Sequence, residues 1–194
     1  MTRIIGLTGG IGSGKTTVAN YIKSTGIPVY IADDAAKGVM ESEAVILEIK
    51  KEFGDDVFEN SKLDRKKISK LVFANPEKLQ KLNSIVHPLV KSHFEAWLKK
   101  HHDAPFIVKE AAILFESGTY KNCDAIITVV APIEDRIKRV MQRDNTDRNS
   151  VLERMKNQWT DEERVLKSDF VIQNSSIKDT ENQVDEILKI LNNQ

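Results

Sequence analysis

The sequence predicts a three-layer α/β/α fold built on a five-stranded parallel sheet. Three observations predict it. Short apolar runs recur at Ile4–Thr8, Ile27–Ala32, Phe106–Val108, Ala125–Val130 and Phe170–Gln173, with the weak alternation of strands covered on both faces. The stretches between them carry apolar residues at helical spacing. The first run leads straight into a glycine-rich turn and a helix, the opening of a β-loop-α unit.

Each element follows in order. Ile4–Thr8 is apolar and stops at glycines, so it reads as a buried strand. Thr16–Ser24 reads as a helix stopped by Gly26. Ile27–Ala32 is the second strand, with Pro28 near its start. About seventy residues without a good strand signal follow. There Val45, Ile46, Ile49 and Phe53 have helical spacing, as do Ile68, Leu71 and Val72. Pro76 and Pro88 read as first-turn prolines of two further helices. The segment is too long for a bare crossover and reads as a helical insertion. Phe106–Val108, extending toward Ala111, and Ala125–Val130 are the next strands. Pro132 starts a helix bearing Ile133, Ile137, Val140 and Met141. Residues 144–164 are polar apart from Val151, Leu152, Met155 and Trp159, a helical excursion over the surface. Phe170–Gln173 is the last strand, and Val184, Ile187, Leu188 and Leu191 line one face of a closing helix. The chain divides into a core at 1–34, an insertion at 35–103, core again at 104–143, an excursion at 144–162 and core at 163–194.

At 194 residues the chain has the length of one domain with small insertions. Lys plus Arg and Asp plus Glu number 29 each. Zero net charge excludes a globally basic nucleic-acid binder but leaves local patches open. The single cysteine, Cys123, excludes an internal disulfide and reads as a small apolar filler. No apolar run approaches the roughly 18–20 residues of a membrane span. The apolar run at the N-terminus is too short for a signal peptide. The expectation is a cytoplasmic protein with no nucleic-acid or membrane partner, a monomer or weak homo-oligomer.

The sharpest motif is Gly9-Gly10-Ile11-Gly12-Ser13-Gly14-Lys15-Thr16, a full match to G-x-x-x-x-G-K-[ST] between a strand and a helix. Glycines let the backbone turn several N–H groups toward one point, and the helix adds its positive dipole end. Gly10, Ile11, Gly12, Ser13 and Gly14 would cradle the phosphates of ATP, with Lys15 reaching the β- and γ-phosphates. The Thr16 hydroxyl would ligate Mg²⁺, and Thr17 would bond a phosphate nearer the sugar. The dinucleotide fingerprint fails, because Gly12-x-Gly14-x-x is followed by Thr17. Neither Asn-Lys-x-Asp nor Asp-x-x-Gly occurs, so GTPase base-reading and switch elements are missing. Size and the helical excursion favour a small-molecule kinase, whose lid must exclude water from the transferring phosphoryl group.

Six of the eight arginines fall within residues 136–164. Arginine suits bidentate phosphate contact and stabilises charge on a transferring phosphoryl group. Arg136, Arg139 and Arg143 share one helical face. The competing reading is a solvated face paired with Glu134, Asp135, Asp144 and Asp147. Asp33 and Asp34 follow the second strand directly, at the strand ends where open α/β sheets bind ligands. One of them would accept a proton from a substrate hydroxyl and the other would cap a helix.

With these residues assembled, the chain resembles the dephospho-coenzyme A kinase family over nearly its whole length. The resemblance rests on Leu7 to Lys15, Ala32-Asp33, Leu82 to His87-Pro88, Leu114-Phe115-Glu116-x-Gly118, Arg139 and Arg143, Arg154 with Gln158, and Val171-Ile172-x-Asn174. It implies a phosphate-loop NTPase fold and ATP-dependent phosphorylation of the ribose 3′-hydroxyl of dephospho-coenzyme A. It implies Asp33 as catalytic base, Lys15 and Arg139 on the transferring phosphoryl group, and Thr8 near the reacting groups. Arg143 and Asn174 would serve ATP, Asn174 near the adenine. His87, Leu114, Glu116 and Arg154 would serve the acceptor, although His87 and Glu116 also read as ordinary structural residues. The insertion would hold the acceptor and the excursion would be the lid. Three positions depart from the family pattern: Ile31 replaces its first acid, Ala112 its proline, and Arg136 a common Gln, which would add a phosphate contact. Another nucleoside or nucleotide kinase, or a non-catalytic nucleotide-binding switch, would share the phosphate loop.

Overall fold

The computed structural model describes residues 2–60, 62–73 and 75–193. The backbone divides into two compact units, one running to Ile31 and resuming at His101, the other Ala32–Lys100. Each boundary falls three residues before the expected one, because the helix after the second strand begins at Ala32 with no linker.

In the first unit, β1 (Arg3–Thr8) leads through the glycine loop into α1 (Lys15–Ser24) and β2 (Val29–Ile31). After the second unit come β5 (Phe106–Glu110), β6 (Ala125–Val130), α6 (Ile133–Asp144), α7 (Arg148–Lys156), α8 (Asp161–Val165), β7 (Phe170–Gln173) and α9 (Ile177–Asn192). The five long strands pair in parallel in the order β2-β5-β1-β6-β7. The expected parallel α/β sheet is therefore present. β1 is central, so the loop that follows it emerges mid-sheet.

Side-chain alternation along β1 explains the layers. Ile5 and Leu7 enter a buried cluster with Val18, Ala19 and Ile22 of α1 and Val184, Ile187, Leu188 and Leu191 of α9. On the opposite face a Cβ at Gly6 would lie 2.7 Å from Leu114 and 3.1 Å from the Cys123 sulfur, so a side chain there would displace that layer. Burial at this position pushes the Cys123 thiol up to about 11 and keeps it protonated. α7 packs Val151, Leu152 and Met155 against Ile137, Val140 and Met141 of α6, and Ile11 of the glycine loop joins them.

The second unit holds α2 (Ala32–Met40), α3 (Glu43–Phe53), α4 (Arg65–Phe73) and α5 (Pro76–Lys99) around Val45, Ile49, Val57, Ile68, Val72, Leu82 and Val86. Two expectations need correction. A short antiparallel pair, β3 (Phe58–Glu59) and β4 (Lys62–Leu63), lies in the insertion read as strand-free. Pro88 sits inside α5 rather than starting a new helix. A proline there cannot donate to the carbonyl one turn earlier, and its position on the helix is exposed. Pro76 does start α5, behind the Asn75 cap, whose side chain accepts from the Glu77 and Lys78 amides. Among the described residues no helix is long and apolar enough to cross a membrane.

Candidate active site

The site is built from the carboxyl ends of β1 and β5. Thr8, fully buried, donates its hydroxyl to the Ala111 carbonyl at 2.9 Å, and the Ala111 amide donates to the Leu7 carbonyl at 3.0 Å. The two strand ends are thus pinned where the glycine loop begins. The loop tightens through a bond from the Ser13 amide to the Gly10 carbonyl at 3.1 Å. Gly14 stands before α1 with φ 98°, a left-handed conformation that costs a side chain energy. No side chain caps α1 and its first turn carries no acid, so its N–H groups and dipole end remain available to an anion. The Lys15 ammonium curls onto the Gly9 carbonyl at 2.8 Å. Thr16 and Thr17 are exposed in the first turn of α1.

Ile11 differs from its loop neighbours. Its amide donates to Gln158 Oε1 at 2.8 Å, and its carbonyl accepts from Arg136 Nε at 3.0 Å. Its N–H is therefore committed to protein, not to phosphate. Asn174, 9% exposed, also turns toward the loop. Its Nδ2 donates to the Ser13 carbonyl at 2.7 Å and its Oδ1 accepts from Thr180 at 3.1 Å. With one bond from each end of its carboxamide, Asn174 braces the loop.

The arginines separate sharply. Arg143 and Arg154 converge on Asp144, at 2.7 Å and 2.6 Å, and hold its carboxyl far below the usual carboxylate range, Arg143 contributing more. Arg148 forms a bidentate pair with Glu134 at 2.7 Å. Arg136 pairs with Asp161 at 2.7 Å, and Arg164 with Glu116 and Asp161. Arg136 is thus a buried bridge, which corrects its expected place on phosphate. Arg139 differs from the other five: among the described residues it has no carboxylate partner, only a 3.3 Å bond to the Gly12 carbonyl.

The remaining residues distribute as follows. Glu116 Oε1 accepts from the Trp159 amide at 2.9 Å and from Arg164 at 3.0 Å, so it is an interior anchor. Trp159 stacks on Phe115, centroids 5.2 Å apart and planes 6° apart. Leu114 is fully buried over Gly6, a core residue and not a surface for acceptor. We expect Leu114→Ala to lower stability by about 2–5 kcal/mol in chemical denaturation. The Michaelis constants of the surviving folded enzyme should stay near wild type. Asp33 and Asp34 both lie in the first turn of α2, so neither is its cap. Asp34 pairs with Lys37 at 2.7 Å, whereas Asp33 is exposed and has no hydrogen bond or ion pair among the described residues. His87 is exposed on α5 in the second unit.

Glu110 was not singled out in the sequence, although it lies within the stretch read as extending the strand toward Ala111. It is the last residue of β5, 5% exposed, in register with Leu7 of β1 and Ile31 of β2. Phosphate-loop NTPases hold their metal between the loop hydroxyl and an acid from such a strand. The signal was present as an apolar strand ending in a carboxylate.

The family model described as dephospho-CoA kinase matches residues 3–179. The chain belongs to the dephospho-CoA kinase family. The match runs from β1 into α9 and so includes the loop, the arginine-bearing helices and Asn174. A dephospho-CoA kinase of Fusobacterium nucleatum is 42% identical over 174 residues, 89% of this chain and 90% of the relative. The crystal structure of TT1252 from Thermus thermophilus is 34% identical and superposes with a TM-score of 0.91 over 97% of both chains. The dephospho-CoA kinase of Campylobacter jejuni, 24% identical, shares the fold at a TM-score of 0.65, covering 98% of this chain and 97% of its own.

Proposed function

We propose that this chain is a cytoplasmic kinase that transfers the γ-phosphoryl group of ATP to the ribose 3′-hydroxyl of dephospho-CoA, releasing CoA and ADP as the last step of CoA biosynthesis. Beyond family membership, one observation carries the reading. Among six neighbouring arginines only Arg139, bonded to the phosphate loop itself, lacks a carboxylate partner among the described residues. A guanidinium kept from acids beside an anion-binding loop is suited to the charge of a transferring phosphoryl group.

Catalysis would be mostly positioning and electrostatics. The amides at the start of α1 hold the phosphates. Lys15 exchanges its loop carbonyls for phosphate oxygens, and Arg139 stabilises charge on the transferring group. Asp33 accepts the proton of the attacking hydroxyl as the new O–P bond forms and the bond to the ADP oxygen breaks. Its place two residues after the end of β2 supports this role. Thr8 and Asn174 keep the loop in place from beneath.

The donor set fits Mg²⁺. Thr16 offers an exposed hydroxyl and Glu110 a carboxylate at the adjoining strand end, the pairing of one or two oxygens that suits a mostly hydrated, phosphate-bound ion. When bound, the ion would neutralise phosphate charge.

The reading is tested by ADP release across a panel of acceptors. We expect turnover with dephospho-CoA. Turnover only with nucleosides or nucleoside monophosphates would reassign the acceptor. ATP binding without acceptor-dependent turnover would mark a nucleotide switch.

A further inference from the structure

We propose that Arg136, Asp161, Arg164 and Glu116, with Gln158, form a clasp that sets the nucleotide-binding shape of the phosphate loop. Arg136 and Gln158 are then positioning residues. The inference rests on the loop's being a nucleotide site and not on the identity of the acceptor.

The chain of contacts is continuous. Arg136, 8% exposed, reaches the Ile11 carbonyl with Nε and Asp161 with Nη1. Asp161 is shared with Arg164, whose Nη1 lies 3.3 Å away. Arg164, fully buried, ends the chain on Glu116 at 3.0 Å. Charges alternate and sum to zero. Gln158 takes the Ile11 amide, so both backbone polar groups of one loop residue are held by distant side chains. A Cβ at Gly10 would lie 2.0 Å from Arg136 Nη2, so the guanidinium takes the space a side chain there would need.

Stability alone does not call for this arrangement. Buried ion pairs can be replaced by packed apolar groups at little or no loss. Apolar groups cannot bond Ile11, and the polar atoms that do so converge on the loop tip. Among the described residues Arg164 Nε and Glu116 Oε2 are buried without hydrogen-bond partners. The loop is what the clasp holds.

The test separates loop shape from fold. Arg136→Met removes the Ile11 bond and leaves Asp161 and Glu116 facing Arg164 alone, whereas Arg136→Met with Asp161→Leu removes the bond and restores charge balance, leaving Arg164 paired with Glu116. Affinity is read with a fluorescent N-methylanthraniloyl-ADP probe and Mg²⁺, stability by thermal melting. We expect the single variant to lose Tm and the double variant to regain most of it. Both should bind the probe roughly tenfold to a hundredfold more weakly, the loss of a charge-assisted bond. Wild-type affinity in the refolded double variant overturns the proposal. If the double variant does not fold, Gln158→Met decides. A several-fold weaker affinity at near wild-type Tm supports the clasp, and unchanged affinity overturns it. No acceptor enters the measurement, so an error about dephospho-CoA leaves this result intact.

Discussion

Replacing Arg139 by alanine is expected to lower kcat by about 10³–10⁵-fold, the range for arginines that stabilise phosphoryl-transfer charge. Stability should barely change. Among the described residues the side chain has no ion pair to lose, and its bond to the Gly12 carbonyl is long at 3.3 Å. Losing one such bond costs about 1 kcal/mol. Steady-state kinetics with thermal melting on the same preparation checks both halves. A Tm loss large enough to explain the lost activity would make Arg139 structural. Arg148→Ala is the matched control, because its exposed pair with Glu134 contributes at most about 1 kcal/mol and touches no loop atom. Arg139→Lys should recover only part of the rate, since an ammonium keeps the charge but not the planar fork.

Asp33→Asn should lower kcat by about 10²–10⁴-fold, the contribution of a general base. Nucleotide affinity and Tm should remain at wild type. The reason lies in what surrounds the carboxylate. Asp33 is exposed at the start of α2 and commits neither oxygen to another described residue, so an amide of the same shape disturbs nothing in the fold. Stopped-flow or coupled-assay turnover at saturating ATP and acceptor is the measurement. Wild-type kcat in Asp33→Asn would remove it from the base role. Asp34→Asn should lose only an exposed ion pair with Lys37 and leave turnover near wild type.

Local features were legible in the sequence, and non-local ones were not. The β1–loop–α1 unit could be read because glycine spacing and Lys15 encode it within sixteen residues. β6 and β7 could be read for a similar reason, since each is a short apolar run with clear stops. Arg136 and Arg164 were misplaced or overlooked because their partners, Asp161 and Glu116, lie up to 48 positions away. Arg143, Arg148 and Arg154 pair with Asp144 and Glu134, acids that the competing reading of a paired face had named. Pro88 misled because proline's preference for the first turn of a helix does not forbid it a place inside a long one, as in α5. Glu110 was missed because a lone carboxylate at a strand end carries no spacing that marks it, even with the strand read toward Ala111. The β3–β4 pair is two residues per strand, too short to show periodicity.

Trp159, stacked on Phe115 beside the loop, and Trp97, stacked near Phe94 on α5, are the chain's two tryptophans. One belongs to each compact unit. The molecule therefore carries a separate built-in optical reporter for each half. In Trp97→Phe all indole emission comes from the loop-bearing unit, and in Trp159→Phe from the helical one. Denaturation followed in the two variants would show directly whether the units melt together or apart, without an added dye.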